Sequence, residues 1–391
     1  MLRILYLVHN LSDPAVHRRV TMLEAGGAAV TLAGFRRGAA PEGGEGPAPI
    51  ELGHTADGRF TQRLASVATA AMSLGARLRH VEKPDIIIGR TLEMLALANR
   101  ARAVFGADIP LVYECLDIHR LLLHPGPVGR AMRGAERLFG RDAALLITSS
   151  PAFVRDYFTR FGQSAAPVAL LPNKVLELGA PRAPGPRAAP PSEGEPWRIG
   201  WFGALRCAKS LELLAAFTRR AGGRFEVVLR GLPAYREFAD FDGFVAAEPY
   251  LSFAGPYRNP DDLAAIYGEV HFCWAIDFFE EGLNSAWLLP NRLYEGCRYG
   301  TVPIAMDGTE TARFLAERQL GLRLDDASVD GLHAVLSAID RQGYEALRQR
   351  IVAHDSAEWV AGIGDCRALV ECLKAAAGSK AGGEVLLEAA A

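Results

Sequence analysis

The chain has 391 residues, half of them hydrophobic, with 43 Lys and Arg against 45 Asp and Glu. That composition excludes a disordered chain and suits two domains, each burying its own core. The six cysteines form no CxxC pairs and have no histidine partners at zinc spacing, so reduced core thiols are expected in place of a disulfide framework or metal site.

No segment approaches ~18 uninterrupted apolar residues and no leader pattern opens the chain, which predicts a cytoplasmic protein without a membrane span. The charge is uneven: up to Ala180, Lys and Arg outnumber Asp and Glu by 21 to 16, whereas acids lead by 29 to 22 in the remainder. A basic first half is compatible with an anionic partner or with ordinary surface decoration.

In chain order, residues 3–8 read as an apolar strand and 14–25 as a helix closed by Gly26-Gly27. A strand is predicted at 29–33, a helix at 61–81, a buried strand at 85–88 and a helix at 92–105. Strand 110–113, helix 128–139 and strand 144–148 follow, and Ser149-Ser150-Pro151 opens a helix that runs to Phe161. Residues 168–171 complete the series. Residues 179–196 are too rich in Pro and Gly for an element interior and read as an interdomain linker. The alternation restarts with strand 198–202, helix 210–220, strand 225–229, helix 263–267 and strand 270–274. Helix 289–299, strand 302–305, helix 311–317 and strand 320–324 precede two terminal helices. Short apolar strands alternating with helices predict an α/β fold of two tandem doubly wound, Rossmann-like domains. Ligands in such folds sit beyond the carboxyl ends of the strands, so the loops there hold the informative residues.

The strongest stretch is LPNRLYEGCRYGTVPIA, Leu289 to Ala305. Glu295 is placed early in a helix, where a carboxylate can accept the two hydroxyls of a ribose or simply complement the helix dipole. A second stretch, RIGWFGALRCAKS from Arg198 to Ser210, pairs a glycine turn with Arg206 and Lys209 just before a helix, a setting that favours an anion. Asp13, after the first strand, reads as a helix N-cap or as a group at an acceptor or sugar. Glu114, Asp117 and His119 form a carboxylate and imidazole cluster at another strand end. Asp117, then His119, is the candidate base for an acceptor hydroxyl; local turn hydrogen bonds are the alternative.

These stretches resemble the donor-binding signature of family-4-type GT-B glycosyltransferases, and the opening phrase YLVHNLSDPAVHRRV is similar to bacterial exopolysaccharide glycosyltransferases of the succinoglycan type. The resemblance implies two Rossmann-like domains facing a central cleft. Residues 1–178 would form the acceptor-side domain, 179–196 the linker and 197–350 the nucleotide-sugar-binding domain. Residues 351–378 would be helices packing back on the first domain, and 379–391 a flexible tail. It also implies that Glu295 holds the ribose and that Pro290, Asn291 and Arg292 face the donor phosphate and sugar. Gly203, Arg206 and Lys209 would meet the diphosphate, with Arg230, Gly231 and Gly255 in neighbouring donor loops. Many relatives carry another Glu eight positions before the ribose residue; here that position is Trp287, with Glu280 or Glu281 as replacements from the preceding loop.

The expected activity is transfer of a hexose from a UDP-sugar to a carbohydrate acceptor, such as a lipid-linked exopolysaccharide repeat unit. Neither cofactor, metal nor nucleic-acid partner is expected. A sugar-nucleotide epimerase and a non-catalytic nucleotide-sugar-binding subunit are the alternatives. A basic face of Arg130, Arg133, Arg137 and Arg141 beside Leu121–Leu123, Met132, Leu138 and Phe139 suits peripheral contact with an anionic bilayer, or an ordinary solvated helix face.

Overall fold

Burial on both faces selects the continuous apolar runs as strands. In β1 (Leu2–Val8) every residue except Arg3 is buried, as a central strand covered by helices on both sides requires. The computed structural model describes residues 1–37, 48–55, 60–179, 187–378 and 387–388. After β1, α1 (Pro14–Ala25) starts at Asp13, whose Oδ1 accepts the Ala15 N–H at 2.9 Å, with proline in the first turn. There follow β2 (Ala28–Arg36), β3 (Ile50–His54), α2 (Phe60–Arg77), β4 (Ile86–Arg90), α3 (Leu92–Phe105) and β5 (Leu111–Glu114). Then come α4 (Arg120–Leu123), α5 (Pro127–Gly140), β6 (Ala143–Thr148), a π-helical stretch at Phe153–Thr159 and β7 (Val168–Leu170). The strands pair in parallel in the order β7-β6-β5-β4-β1-β2-β3. The direction of winding therefore reverses between β1 and β4.

The second set comprises β8 (Val175–Leu176), β9 (Trp197–Leu205), α6 (Ala208–Arg220), β10 (Phe225–Pro233), α7 (Phe241–Ala247), β11 (Leu251–Phe253) and α8 (Leu263–Gly268). It continues through β12 (Phe272–Trp274), α9 (Asn291–Arg298), β13 (Val302–Met306), α10 (Glu310–Arg318), β14 (Leu322–Leu324), α11 (Val329–Ser337), α12 (Arg341–Ala353) and β15 (Val360–Ala361). Its parallel sheet runs β11-β10-β9-β12-β13-β14, with the reversal between β9 and β12. Trp201 and Trp274 are fully buried in its core, and Trp274 satisfies its indole N–H on Ser210 Oγ at 3.1 Å. The chain closes with α13 (Ile363–Gly378) and β16 (Leu387–Glu388), the latter paired with β7.

Two compact units result: Met1–Pro172 with Gly362–Ala391, and Asn173–Ala361. The division falls at Pro172, not within 179–196. The described part of that Pro-rich stretch belongs to the second unit, because its backbone carbonyls meet buried side chains there. Tyr344 donates to the Ala188 carbonyl at 3.3 Å, and His271 Nε2 lies 2.9 Å from that of Ala189. Of the two terminal helices, α12 stays in the second unit. Only α13 returns to the first, lying so close to α1 that a side chain on Gly26 would collide with the Cys366 carbonyl.

Candidate functional site

At the reversal point of the second unit, β9 and β10 run in register with Gly203 opposite Gly231. Gly203 has φ +108° and Gly231 φ +130°, backbone that side chains rarely adopt, and a Cβ on Gly231 would collide with the Gly203 carbonyl. Gly231 N–H donates to the Gly255 carbonyl at 2.9 Å, which ties β10 to the loop after β11. The result is a shelf of bare backbone, a form that lets a ligand approach the main chain. Burial, with Glu295 nearby, raises the Tyr257 phenol above its ordinary range. Arg230 turns aside to Glu269 at 3.5 Å.

Glu295 lies in the second turn of α9, within the first turns where the sequence placed it, with Pro290 as the N-cap and Asn291 as the first helical residue. Its carboxylate is buried and accepts hydrogen bonds from Asn259 Nδ2 at 2.8 Å and Tyr267 Oη at 2.9 Å. Burial and the neighbouring Glu295 charge push the Tyr267 phenol well above its usual range, so it remains a donor. An ionised carboxylate has about four acceptor sites, of which Asn259 and Tyr267 use one each. Asn291 is exposed and Pro290 partly buried. Arg292, expected to face the donor, is instead buried, with one terminal nitrogen 3.0 Å from the Ile276 carbonyl. Its helical position turns it toward β12 and away from solvent.

Arg206 and Lys209 flank the first turn of α6, as expected for a phosphate site, yet each meets a carboxylate of the loop after β12. Arg206 lies 3.1 Å from Asp277 Oδ2, and Lys209 Nζ lies 2.7 Å from both oxygens of Glu281. Both cations also sit over rings, Arg206 at 4.8 Å from the Phe279 centroid and Lys209 at 4.5 Å from that of Phe278. Burial opposes ionisation of Asp277, but Arg292 and Arg206 outweigh it and hold the carboxyl below the usual range. Asp277 and Glu281 border a cavity of about 260 Å³ between the ends of β12 and β13, also lined by Ser285, Pro290, Asp307 and Thr309. Trp287, at the place of the missing Glu, caps a short 3-10 turn, and Glu281, one of the two candidate replacements with Glu280, is held by Lys209.

In the first unit Glu114 leaves the predicted trio at the end of β5. Glu114 is fully buried, accepting from Tyr6, from Arg19 Nε at 2.7 Å and from Arg90 at 3.3 Å. Burial works against its ionisation, and the two guanidiniums reverse that balance and depress its pKa. It belongs to the sheet interior because strand alternation turns it away from the following loop. Asp117 is exposed, and its backbone carbonyl accepts from Cys115 Sγ at 3.5 Å. His119 caps α4, its Nδ1 accepting the Leu121 N–H at 3.2 Å. Burial, then Arg63, lowers its pKa and favours the neutral ring. The cap spends Nδ1 and leaves the proton on Nε2, which makes this conformation a poor base. Asp13 sits in turn beside His9 and Arg90, at 3.7 and 3.9 Å. Neither His9 nor Arg90 stands out by spacing in the sequence, and nor do Asn259, Tyr267 and Asp277. Among the described residues no group of three or more His, Cys, Asp or Glu side chains could hold a metal ion.

A family model described as "Glycosyl transferase 4-like domain" matches residues 13–174. The succinoglycan biosynthesis protein ExoL of Rhizobium meliloti (strain 1021) is 60% identical over 377 residues, covering 95% of this chain and 93% of that protein. Among solved structures, sucrose-phosphate synthase from Thermosynechococcus elongatus superposes with a TM-score of 0.70 at 14% identity, over 96% of this chain and 99% of that one. HepE from Anabaena, in complex with UDP, does so with a TM-score of 0.65 at 14% identity, over 96% of this chain and 100% of that one.

Proposed function

The chain belongs to the glycosyl transferase 4-like family and is a GT-B glycosyltransferase of exopolysaccharide biosynthesis; from that premise we propose that its second unit binds a UDP-sugar and that a lipid-linked carbohydrate accepts the hexose. The observation that carries the donor reading is the convergence, at one strand reversal, of the Gly203–Gly231 backbone shelf, buried Glu295 and the cations Arg206 and Lys209. Glu295 takes the ribose diol. Gly203, Gly231 and Gly255 let phosphate and base approach the backbone, and Arg206 with Lys209 neutralises the diphosphate as the glycosidic bond breaks. Pro290 and Asn291 border the sugar. Asp13, Asp117 and His119 stand on the acceptor side. The epimerase and non-catalytic readings are not favoured, because the family model that matches is a glycosyl transferase one and the 60% identical relative is a succinoglycan biosynthesis protein.

Charge on the leaving diphosphate grows in the transition state, so the test is kinetic. Arg206→Ala and Lys209→Ala should each lower single-turnover rates on the order of a hundredfold while weakening donor binding less. Wild-type rates in both variants would place the phosphates elsewhere.

We further propose contact with an anionic bilayer through α5. Arg130, Arg137 and Arg141 are exposed beside Val128 and Leu138. Arg133 leaves the predicted basic face, being buried against the carbonyls of Leu122 and His124. Among the described residues no helix is long and apolar enough to cross a membrane. Salt-sensitive flotation with anionic vesicles is the expected result; no flotation removes the idea.

A further inference from the structure

The loops that leave β1 and β4 meet at the reversal point of the first sheet, where doubly wound folds bind ligands. Asp13 spends Oδ1 on the N-cap of α1, at 2.9 Å from the Ala15 N–H. Its other oxygen, Oδ2, lies 3.7 Å from His9 Nε2 and 3.9 Å from an Arg90 terminal nitrogen. Both distances exceed a direct hydrogen bond, so neither neighbour saturates Oδ2 as an acceptor. Arg90 is held rigidly from behind, its side chain 7% exposed and bonded to Tyr6 Oη at 3.1 Å and Glu114 at 3.3 Å. Such bracing is what a recognition residue needs to keep its donors aimed.

Three more polar atoms of these loops, His9 Nδ1, Ser12 Oγ and Thr91 Oγ1, are buried without a hydrogen-bond partner. An unpartnered Nδ1 costs less as a bare lone pair than as an N–H, which assigns the proton to Nε2 and makes it a donor facing Asp13. Burial lowers the His9 pKa to about 4, against the opposing pull of Asp13, so the ring is neutral at physiological pH. Thr91, directly after Arg90, has φ +81°, a conformation expensive for a β-branched residue and of the kind retained at functional sites. The charges here nearly cancel. Arg19, Arg37, Arg63 and Arg90 are met by Asp13, Glu93 and Glu114. A site with two donors, one carboxylate acceptor and little net charge suits an uncharged polyol better than an anion.

We propose that His9, Asp13 and Arg90 form a hydroxyl-reading subsite for an uncharged pyranose of the acceptor. Asp13 Oδ2 accepts a hydroxyl proton, while His9 Nε2–H and Arg90 donate to hydroxyl oxygens of the same ring. The inference rests on the transferase reading, because it names the acceptor-side group of that reaction. These residues position the sugar; the bond made and broken lies at the donor.

The probes are p-nitrophenyl β-D-glucopyranoside, the corresponding β-D-galactopyranoside and the β-D-glucuronide, titrated into the full chain by ligand-observed NMR. UDP and UDP-glucose are titrated in parallel by calorimetry. Asp13→Asn keeps a good N-cap and removes the charged acceptor, and His9→Phe keeps a ring of similar shape and removes the Nε2–H donor. At least one neutral glycoside should bind the wild type more tightly than the glucuronide. Each variant should weaken it about tenfold, with UDP affinity and melting temperature unchanged. The inference is overturned if no neutral glycoside binds, if the glucuronide binds more tightly, or if both variants bind glycoside normally. It is also overturned if they lose UDP-glucose but not glycoside, which would give the hydroxyl to the donor sugar. Failure of UDP itself to bind the wild type would instead remove the donor reading of the second unit.

Discussion

Glu295→Ala should cost both stability and donor affinity, and the structure separates the two losses. The Glu295 carboxylate is the acceptor for Asn259 Nδ2 at 2.8 Å and for the fully buried Tyr267 hydroxyl at 2.9 Å. Alanine leaves both donors without it, at ~1–3 kcal/mol each, and opens a cavity where the chain packs tightly. Partial relaxation and water entry reduce the sum, so about 3 kcal/mol is the expected destabilisation. Loss of the ribose contact, a hydrogen bond to a charged group, removes ~1.5–3 kcal/mol of donor binding, roughly tenfold to a hundredfold. Glu295→Gln keeps the volume and one acceptor oxygen but points an amide N–H₂ at one of the two donors, so it should fall between alanine and wild type. Tyr267→Phe removes one prop without touching the ribose acceptor and should weaken binding only severalfold. Urea unfolding gives the stability, and calorimetry with UDP, on samples confirmed folded, gives the affinity. An alanine variant that loses stability yet binds UDP normally would make Glu295 a brace for the loop of Asn259 and nothing more. One that keeps both would refute the burial argument as well.

Asp277→Asn frees Arg206 while retaining an acceptor for the Phe279 N–H at 2.8 Å, so UDP should bind about threefold to tenfold more tightly at low salt, with the gain fading as salt rises. Unchanged or weaker binding would show that the Asp277–Arg206 pair does not compete with the diphosphate. Glu136 offers a pH test: burial lifts its pKa from 4.5 to about 6, against the opposing donors Tyr157 and Tyr113. The folded state therefore binds that proton more tightly than the unfolded one. The stability it contributes is full below pH 4.5 and lost as pH rises through about 6, roughly 2 kcal/mol in all. Glu136→Gln should consequently exceed the wild type in urea stability by up to ~2 kcal/mol near pH 8 and match it near pH 4; an equal difference at both would reject the titration as cause.

The alternation of short apolar runs with amphipathic helices determined the fold class. Each such run is a strand buried on both faces, and helices are what covers those faces. The caps were equally local: Asp13 with Pro14, and the glycines after α1, carry their own backbone chemistry. Elements with weak apolar signal went unread: β3, α7 and β11 form because edge pairing and packing support them. The Pro-rich stretch looked like a linker because composition reports only that no helix or strand can form there. Its attachment to the second unit depends on Tyr344 and His271, distant in sequence. The two motif stretches lie where the sequence put them, Gly203 near the end of β9 and Pro290 to Glu295 at the start of α9. The sequence could not say which way each side chain turns. Arg292 goes inward, and Arg206 and Lys209 meet carboxylates some seventy positions away. On the acceptor side the sequence grouped Glu114 with Asp117 and His119 because they are neighbours in the chain. Tertiary structure regrouped them by strand ends, burying Glu114 behind Arg90 and bringing Arg90 to Asp13 and His9. In a parallel sheet the residues that share a ligand come from different strands, so no local spacing can announce them.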